Sequence, residues 1–136
     1  METIRKINEE LSIAGQIDDE QLLWLSQEGY RSLLNLRSSQ EEGFWVDEQS
    51  KAECLGFRYL NLPIHPDVID DVTALRVLQQ INTLPKPMLV HCDSAVRAAA
   101  IALMHITTRQ GTPLDRAFKQ VRQLGLFDVF VQGSPV

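Results

Sequence analysis

"MLVHCDSAVRAAAIALMHI", residues Met88 to Ile106, decides the fold. Met88–Cys92 is a short run dense in apolar residues, which reads as a buried strand. Four residues later Arg97 opens a helical pattern that continues to Gln110. Its first half, AAAIALMHI, is apolar all round, and a helix apolar on every side is a buried one. A strand that passes through a short loop into a buried helix places that loop at the carboxyl end of a sheet. Ligands bind there in α/β proteins.

The flanking sequence repeats the same alternation. Leu11–Ala14 reads as a short strand, and Asp18 or Asp19 caps a helix through Gln27 that Gly29 ends. Ser32–Arg37 (SLLNLR) has the apolar density of a strand covered on both faces. A polar loop follows, then a helix from Val46 to Leu55 with Gly56 at its end and a strand over Phe57–Pro63. IHPDVIDD leads into a helix from about Asp71 that places Val72, Leu75, Leu78 and Ile81 on one face, broken by Pro85 and Pro87. After Gly111-Thr112-Pro113 comes an amphipathic helix carrying Leu114, Ala117, Phe118 and Val121 on one side and closed by Gly125. The tail LFDVFVQGSPV is apolar enough to dock on the domain or on a second copy, as in a homodimer. Strands alternating with helices predict an α/β fold, a small and mainly parallel sheet flanked by helices. At 136 residues, the whole span 1–136 is expected to form a single domain.

Composition excludes several functions. A net charge of −5 argues against a nucleic-acid partner, which calls for a basic face. No apolar run approaches the ~18 residues of a membrane span. The opening METIRKINEELSIAG is charged where a secretory leader is apolar. Two cysteines, Cys54 and Cys92, are too few for a disulfide framework, so a cytoplasmic location is expected. With no clustered Cys/His set and no glycine-rich phosphate loop, neither a metal nor another cofactor is expected.

The loop from Cys92 through Asp93, Ser94, Ala95 and Val96 to Arg97 carries the chemistry. Backbone N–H groups of residues 93–97 can converge on an anion, helped by the positive end of the helix. The same field favours a thiolate at Cys92. Arg97 in the first helical turn can hold two oxygens of a phosphate or sulfate. Cys92 is therefore either a nucleophile in an oxyanion cradle or a buried thiol that precedes an arginine.

H-C-(x)-R between a strand and a helix resembles the signature loop of cysteine-dependent protein tyrosine and dual-specificity phosphatases. LSIAGQ followed by Glu20 and Leu22, EGY-x-SLLNLR followed by Glu41-Glu42, G-F-x-Y-x-N-L-P and PMLVHC-x-S-x-x-R are similar, in order, to the DUF442 group. That group comprises small phosphatase-like domains also found attached to beta-lactamase-like hydrolases. The resemblance implies a compact phosphatase-type fold with Cys92 and Arg97 at its centre. It further implies hydrolysis of a phosphomonoester through a phosphocysteine, with a phosphorylated substrate as the partner.

Departures from the pattern keep two alternatives open. Four residues separate Cys92 from Arg97, where the usual tyrosine phosphatase loop has five; the shorter spacing is like that of rhodanese-type sulfurtransferases, which carry a persulfide. Ala95 stands where related loops usually have glycine, and a positive φ there costs an alanine roughly 1 kcal/mol or more. Asp93 replaces a residue that is often basic, and Ala98 one that is often a hydroxyl. These changes motivate the second alternative, a binding module for phosphate without turnover.

A leaving-group acid is expected from HPDVIDD. Asp67 is the first choice and His65 the second, while Asp70 and Asp71 suit a helix N-cap and first turn. His91 is expected to orient the loop or to be satisfied by backbone. Arg37 is expected to pair with Glu41 or Glu42 rather than touch substrate. Cys54 is expected to be a small core residue, with a disulfide to Cys92 as the less favoured pairing.

Overall fold

The computed structural model describes residues 4–66, 68–124 and 128–130. Its main sheet has five strands: β1 (Arg5–Lys6), β2 (Leu11–Ala14), β3 (Ser32–Asn35), β4 (Arg58–Asn61) and β6 (Met88–His91). They lie in the order β1-β2-β6-β3-β4, with only the β1–β2 pair antiparallel. A separate two-stranded parallel pair joins β5 (Val68–Asp70) to β7 (Asp128–Phe130). The helices are α1 (Asp19–Gln27), α2 (Glu48–Cys54), α3 (Asp71–Thr83), α4 (Val96–Arg109) and α5 (Leu114–Gln123).

Strands β2, β3 and β6 are buried along their whole length, as expected of a parallel sheet covered on both faces. One apolar layer packs Leu34, Val90 and Met88 with Val77 and Ile81 of α3, Ile101 and Met104 of α4, and Phe118 of α5. The other sets Leu33 and Leu89 against Leu22 and Leu25 of α1, Ala52 of α2 and Phe57. The expected mainly parallel sheet with helices on both sides is the observed fold. Among the described residues, no helix is long and apolar enough to cross a membrane.

Local signals explain the boundaries. Asp18 caps α1 by accepting from the Gln21 amide at 2.9 Å, while the Gln21 side chain accepts from the Asp18 amide at 3.1 Å. This reciprocal arrangement satisfies two amides that a helix start otherwise leaves unpaired. Asp70 caps α3 through the Thr73 amide at 2.6 Å, as its position before the helix predicts. Two expectations need correction. The α3 face turned inward carries Ala74, Val77, Leu78 and Ile81, whereas Val72 and Leu75 are exposed. The 72/75/78/81 spacing drifts off a 3.6-residue period, and the 74/77/78/81 set follows it. Cys54 is exposed rather than core, because α2 buries Glu48 and Ala52 instead; both cysteines are free thiols. Of the tail, only the backbone of β7 is described, and the closing Gly125 lies outside the described residues.

Candidate active site

Every candidate loop residue sits at the carboxyl end of β6, the central strand. The Cys92 amide donates to the Ala14 carbonyl at 3.2 Å and the Gln16 amide to the Asp93 carbonyl at 3.1 Å. The Leu36 amide donates to the His91 carbonyl at 2.9 Å, so the loops after β2 and β3 are fixed to it from both sides. Ala95 precedes α4 with φ +74°, the left-handed region. It is the strained position that the sequence singled out, and the alanine is accommodated there without glycine's freedom. Because Ala95 has no capping side chain, the first amides of α4 are left without an intrahelical or side-chain partner. Cys92 at the far side of the loop is fully buried.

Arg97 is buried as well, and carboxylates already hold it. Glu41 receives a two-pronged contact, Nη1 to Oε2 at 2.7 Å and Nη2 to Oε1 at 2.9 Å. Nη1 also donates to the carbonyls of Ile64 at 2.9 Å and Leu36 at 3.3 Å, and Nη2 donates to Asp93 Oδ1 at 3.0 Å. Glu41 thus takes the Nη1/Nη2 fork. The remaining edge is Nε with the outer hydrogen of Nη2. Asp93 occupies the Nη2 half of it; Nε donates to none of the described residues.

The electrostatics follow from these contacts. Hydrogen bonds from Arg97 draw the Glu41 carboxyl down to about 2, against burial, with smaller help from the Ser38 amide and Arg37. Burial raises the Asp93 carboxyl, but hydrogen bonds from Arg97 and the Ser94 amide outweigh it and the net direction is down. Burial opposes the charge on Arg97, yet its two carboxylate partners raise it above the ordinary guanidinium value. The Ser94 amide, expected to face an anion, donates at 2.7 Å to Asp93 Oδ1 instead. Asp93, although half-exposed, therefore bends back on the loop as its own carboxylate ligand.

Arg37 pairs as expected, Nε to Glu41 Oε1 at 3.1 Å, with Nη2 on the Glu42 carbonyl at 2.5 Å and Nη1 on the Gly43 carbonyl at 3.1 Å. His91 makes the backbone contact foreseen, Nδ1 to the Cys92 carbonyl at 3.3 Å. It also makes one that was not foreseen: Nε2 lies 2.5 Å from Glu48 Oε2, with both side chains fully buried. Gln16 completes the chain, donating from Nε2 to Glu48 Oε1 at 2.8 Å and accepting at Oε1 from Arg37 Nη1 at 2.7 Å. Sequence reasoning missed Glu48 and the role of Glu41 on Arg97. The usable signal was a glutamate on the inward side of a short helix beside Ala52. Asp67 lies outside the described residues, and His65 is exposed.

A family model for the "Beta-lactamase hydrolase-like protein, phosphatase-like domain" matches residues 3–109. A beta-lactamase hydrolase-like protein of Xylella fastidiosa is 34% identical over 95 residues, 68% of this chain and 22% of the relative. The chain thus matches about a fifth of the length of that curated relative. Among solved structures, a DUF442 phosphatase-group protein of Shewanella putrefaciens superposes with a TM-score of 0.74 at 19% identity, covering 86% of this chain and 79% of the other. TpbA of P. aeruginosa, crystallised as a variant with pTyr, gives 0.69 at 20% identity, covering 92% and 75%. The family match spans the five-stranded sheet, helices α1 to α4 and the whole loop from Cys92 to Arg97, and the chain belongs to the beta-lactamase hydrolase-like protein, phosphatase-like domain family.

Proposed function

We propose that the chain is a cysteine-dependent phosphatase acting on a phosphomonoester, with Cys92 as nucleophile and Arg97 as oxyanion clamp. The observation that carries this reading is Arg97 at one end of a loop whose other end is Cys92, with Nε donating to none of the described residues and Nη2 held on that edge only by the half-exposed Asp93. Membership of a phosphatase-like family supports it, as does the likeness of fold to a protein crystallised with pTyr.

In this scheme the phosphate displaces the Asp93 carboxylate from Nη2 and takes the Ser94 amide. The Cys92 thiolate attacks phosphorus; an S–P bond forms while the ester P–O bond breaks, and the leaving oxygen takes a proton from Asp67. Water then attacks the phosphocysteine, giving a proton back to the Asp67 carboxylate, and the S–P bond breaks to release phosphate and the thiolate. Ala95 and Val96 shape the loop, His91 supports Cys92, and Arg37 holds Glu41 in place.

Initial rates of p-nitrophenyl phosphate hydrolysis from pH 5 to 8, wild type beside Cys92→Ser, test the scheme. Activity should vanish in the variant, and equal rates overturn it. A second reading, phosphate binding without turnover, draws on the second carboxylate on Arg97. Equal rates together with retained phosphate binding would select that reading.

A further inference from the structure

We propose that Glu48 is a positioning residue for the Cys92 thiol, acting through His91. The inference rests on the reading of Cys92 as nucleophile. The His91 ring lies between two oxygens, the Glu48 carboxylate at 2.5 Å and the Cys92 carbonyl at 3.3 Å. A carbonyl only accepts, so the Nδ1 contact is a hydrogen bond only when Nδ1 carries a proton. An ionised carboxylate also only accepts, which makes Nε2 a donor too. With Glu48 ionised, only a doubly protonated ring makes both contacts, which sets its positive charge against the Cys92 backbone and its counter-charge, on Glu48, on the far side. A cation next to a thiol favours the thiolate.

Packing alone does not account for this pair. Glutamate is almost never fully buried unless paired, and a buried ion pair is commonly no more stabilising than apolar residues of the same volume. Glu48 nonetheless has both oxygens engaged, Oε2 by His91 and Oε1 by Gln16. Gln16 belongs to the LSIAGQ motif, and it links Glu48 to Arg37, hence to Glu41 and Arg97. Two charged units, one behind the thiol and one behind the clamp, are thus joined through a single amide. Among the described residues, the charged and titratable groups linked to His91 and Cys92 are Glu48 on α2, Tyr59 on β4, Arg37 and Glu41 after β3, and Asp93 and Arg97. Tyr59 has its phenol pushed up by burial and by the charge of Glu48.

The experiment is the pH profile of alkylation by iodoacetamide, read at each cysteine by mass spectrometry. Exposed Cys54 is the internal reference. In Glu48→Gln the isosteric amide cannot balance a buried imidazolium, so the ring loses its charge. The Cys92 profile should move to higher pH, with alkylation on its acid limb about tenfold slower and Cys54 unchanged. Loosened packing changes access and scales the whole curve; ionisation moves it along the pH axis. An unmoved Cys92 profile in a folded variant overturns the proposal.

If the variant does not fold, or Cys92 resists the reagent, the 15N spectrum of histidine-labelled wild type decides. Both His91 nitrogens should carry protons, and an unprotonated nitrogen overturns the inference. Neither readout needs turnover, so inactivity on p-nitrophenyl phosphate would refute the phosphatase and leave this result standing.

Discussion

The two ends of the same three strands are built differently. At the amino ends of β2 and β3 the buried polar groups are neutral hydroxyls: Ser12 Oγ lies 2.7 Å from the Tyr30 hydroxyl, and Ser32 Oγ has no partner among the described residues. A cleft of about 260 Å³ opens there between Trp24, Tyr30 and Pro87. At the carboxyl ends lie Arg37, Glu48, His91 and Arg97, all buried and all paired. A neutral hydroxyl is tolerated with one partner or none. A buried charge needs a counter-charge and several hydrogen bonds. The carboxyl end is therefore over-determined, which is what a site requires and a mere sheet end does not.

The largest expected effect sharpens that contrast. Glu41→Gln should cost about 3 kcal/mol at neutral pH, from a carboxyl held near 2 against an ordinary 4.5. The sign follows from the lowered value. The contribution is complete above about pH 4.5 and fades as pH falls toward about 2, so urea titrations of wild type and variant should converge in acid. Tyr30→Phe at the opposite end should cost about 1 kcal/mol at either pH. A pH-independent Glu41→Gln effect would break the comparison.

Ala95→Gly comes next. Relief of the left-handed φ of +74° should raise stability by about 1 kcal/mol, read as a higher urea midpoint at unchanged slope. A lower midpoint would mean that the loop does not hold this conformation in solution. Asp93→Asn is the smallest. Removing the carboxylate from the Nε/Nη2 edge of Arg97 should tighten inorganic phosphate about threefold by calorimetry, a modest gain because the side chain is half exposed. Weaker binding would assign Asp93 a supporting role in the cradle.

Much of the framework was legible because each signal was local. The bounds of β2 and α1, the Asp18 and Asp70 caps and the buried first half of α4 all follow from residues within a few positions of one another. The loop from Cys92 to Arg97 was legible for the same reason. Glu48 was not, since its partner His91 is 43 residues away and a lone glutamate in a charged segment reads as solvated. The exposure of Cys54 depends on which side of a seven-residue helix meets β4, too short a span for periodicity to declare. The β5–β7 pair exists only through pairing between distant segments, and β1, at two residues, is too short to carry a period.

Strand order has a consequence for synthesis. β6 is the last strand of the main sheet to leave the ribosome, yet it sits between β2 and β3. Until His91 has emerged, both of those strands present an unpaired, apolar edge, and Glu48 lacks its histidine. Growing chains stalled before this point are therefore exposed to edge-to-edge association. Insertion of one central strand closes both edges and gives the buried carboxylate its partner in the same step, coupling completion of the sheet to completion of the site.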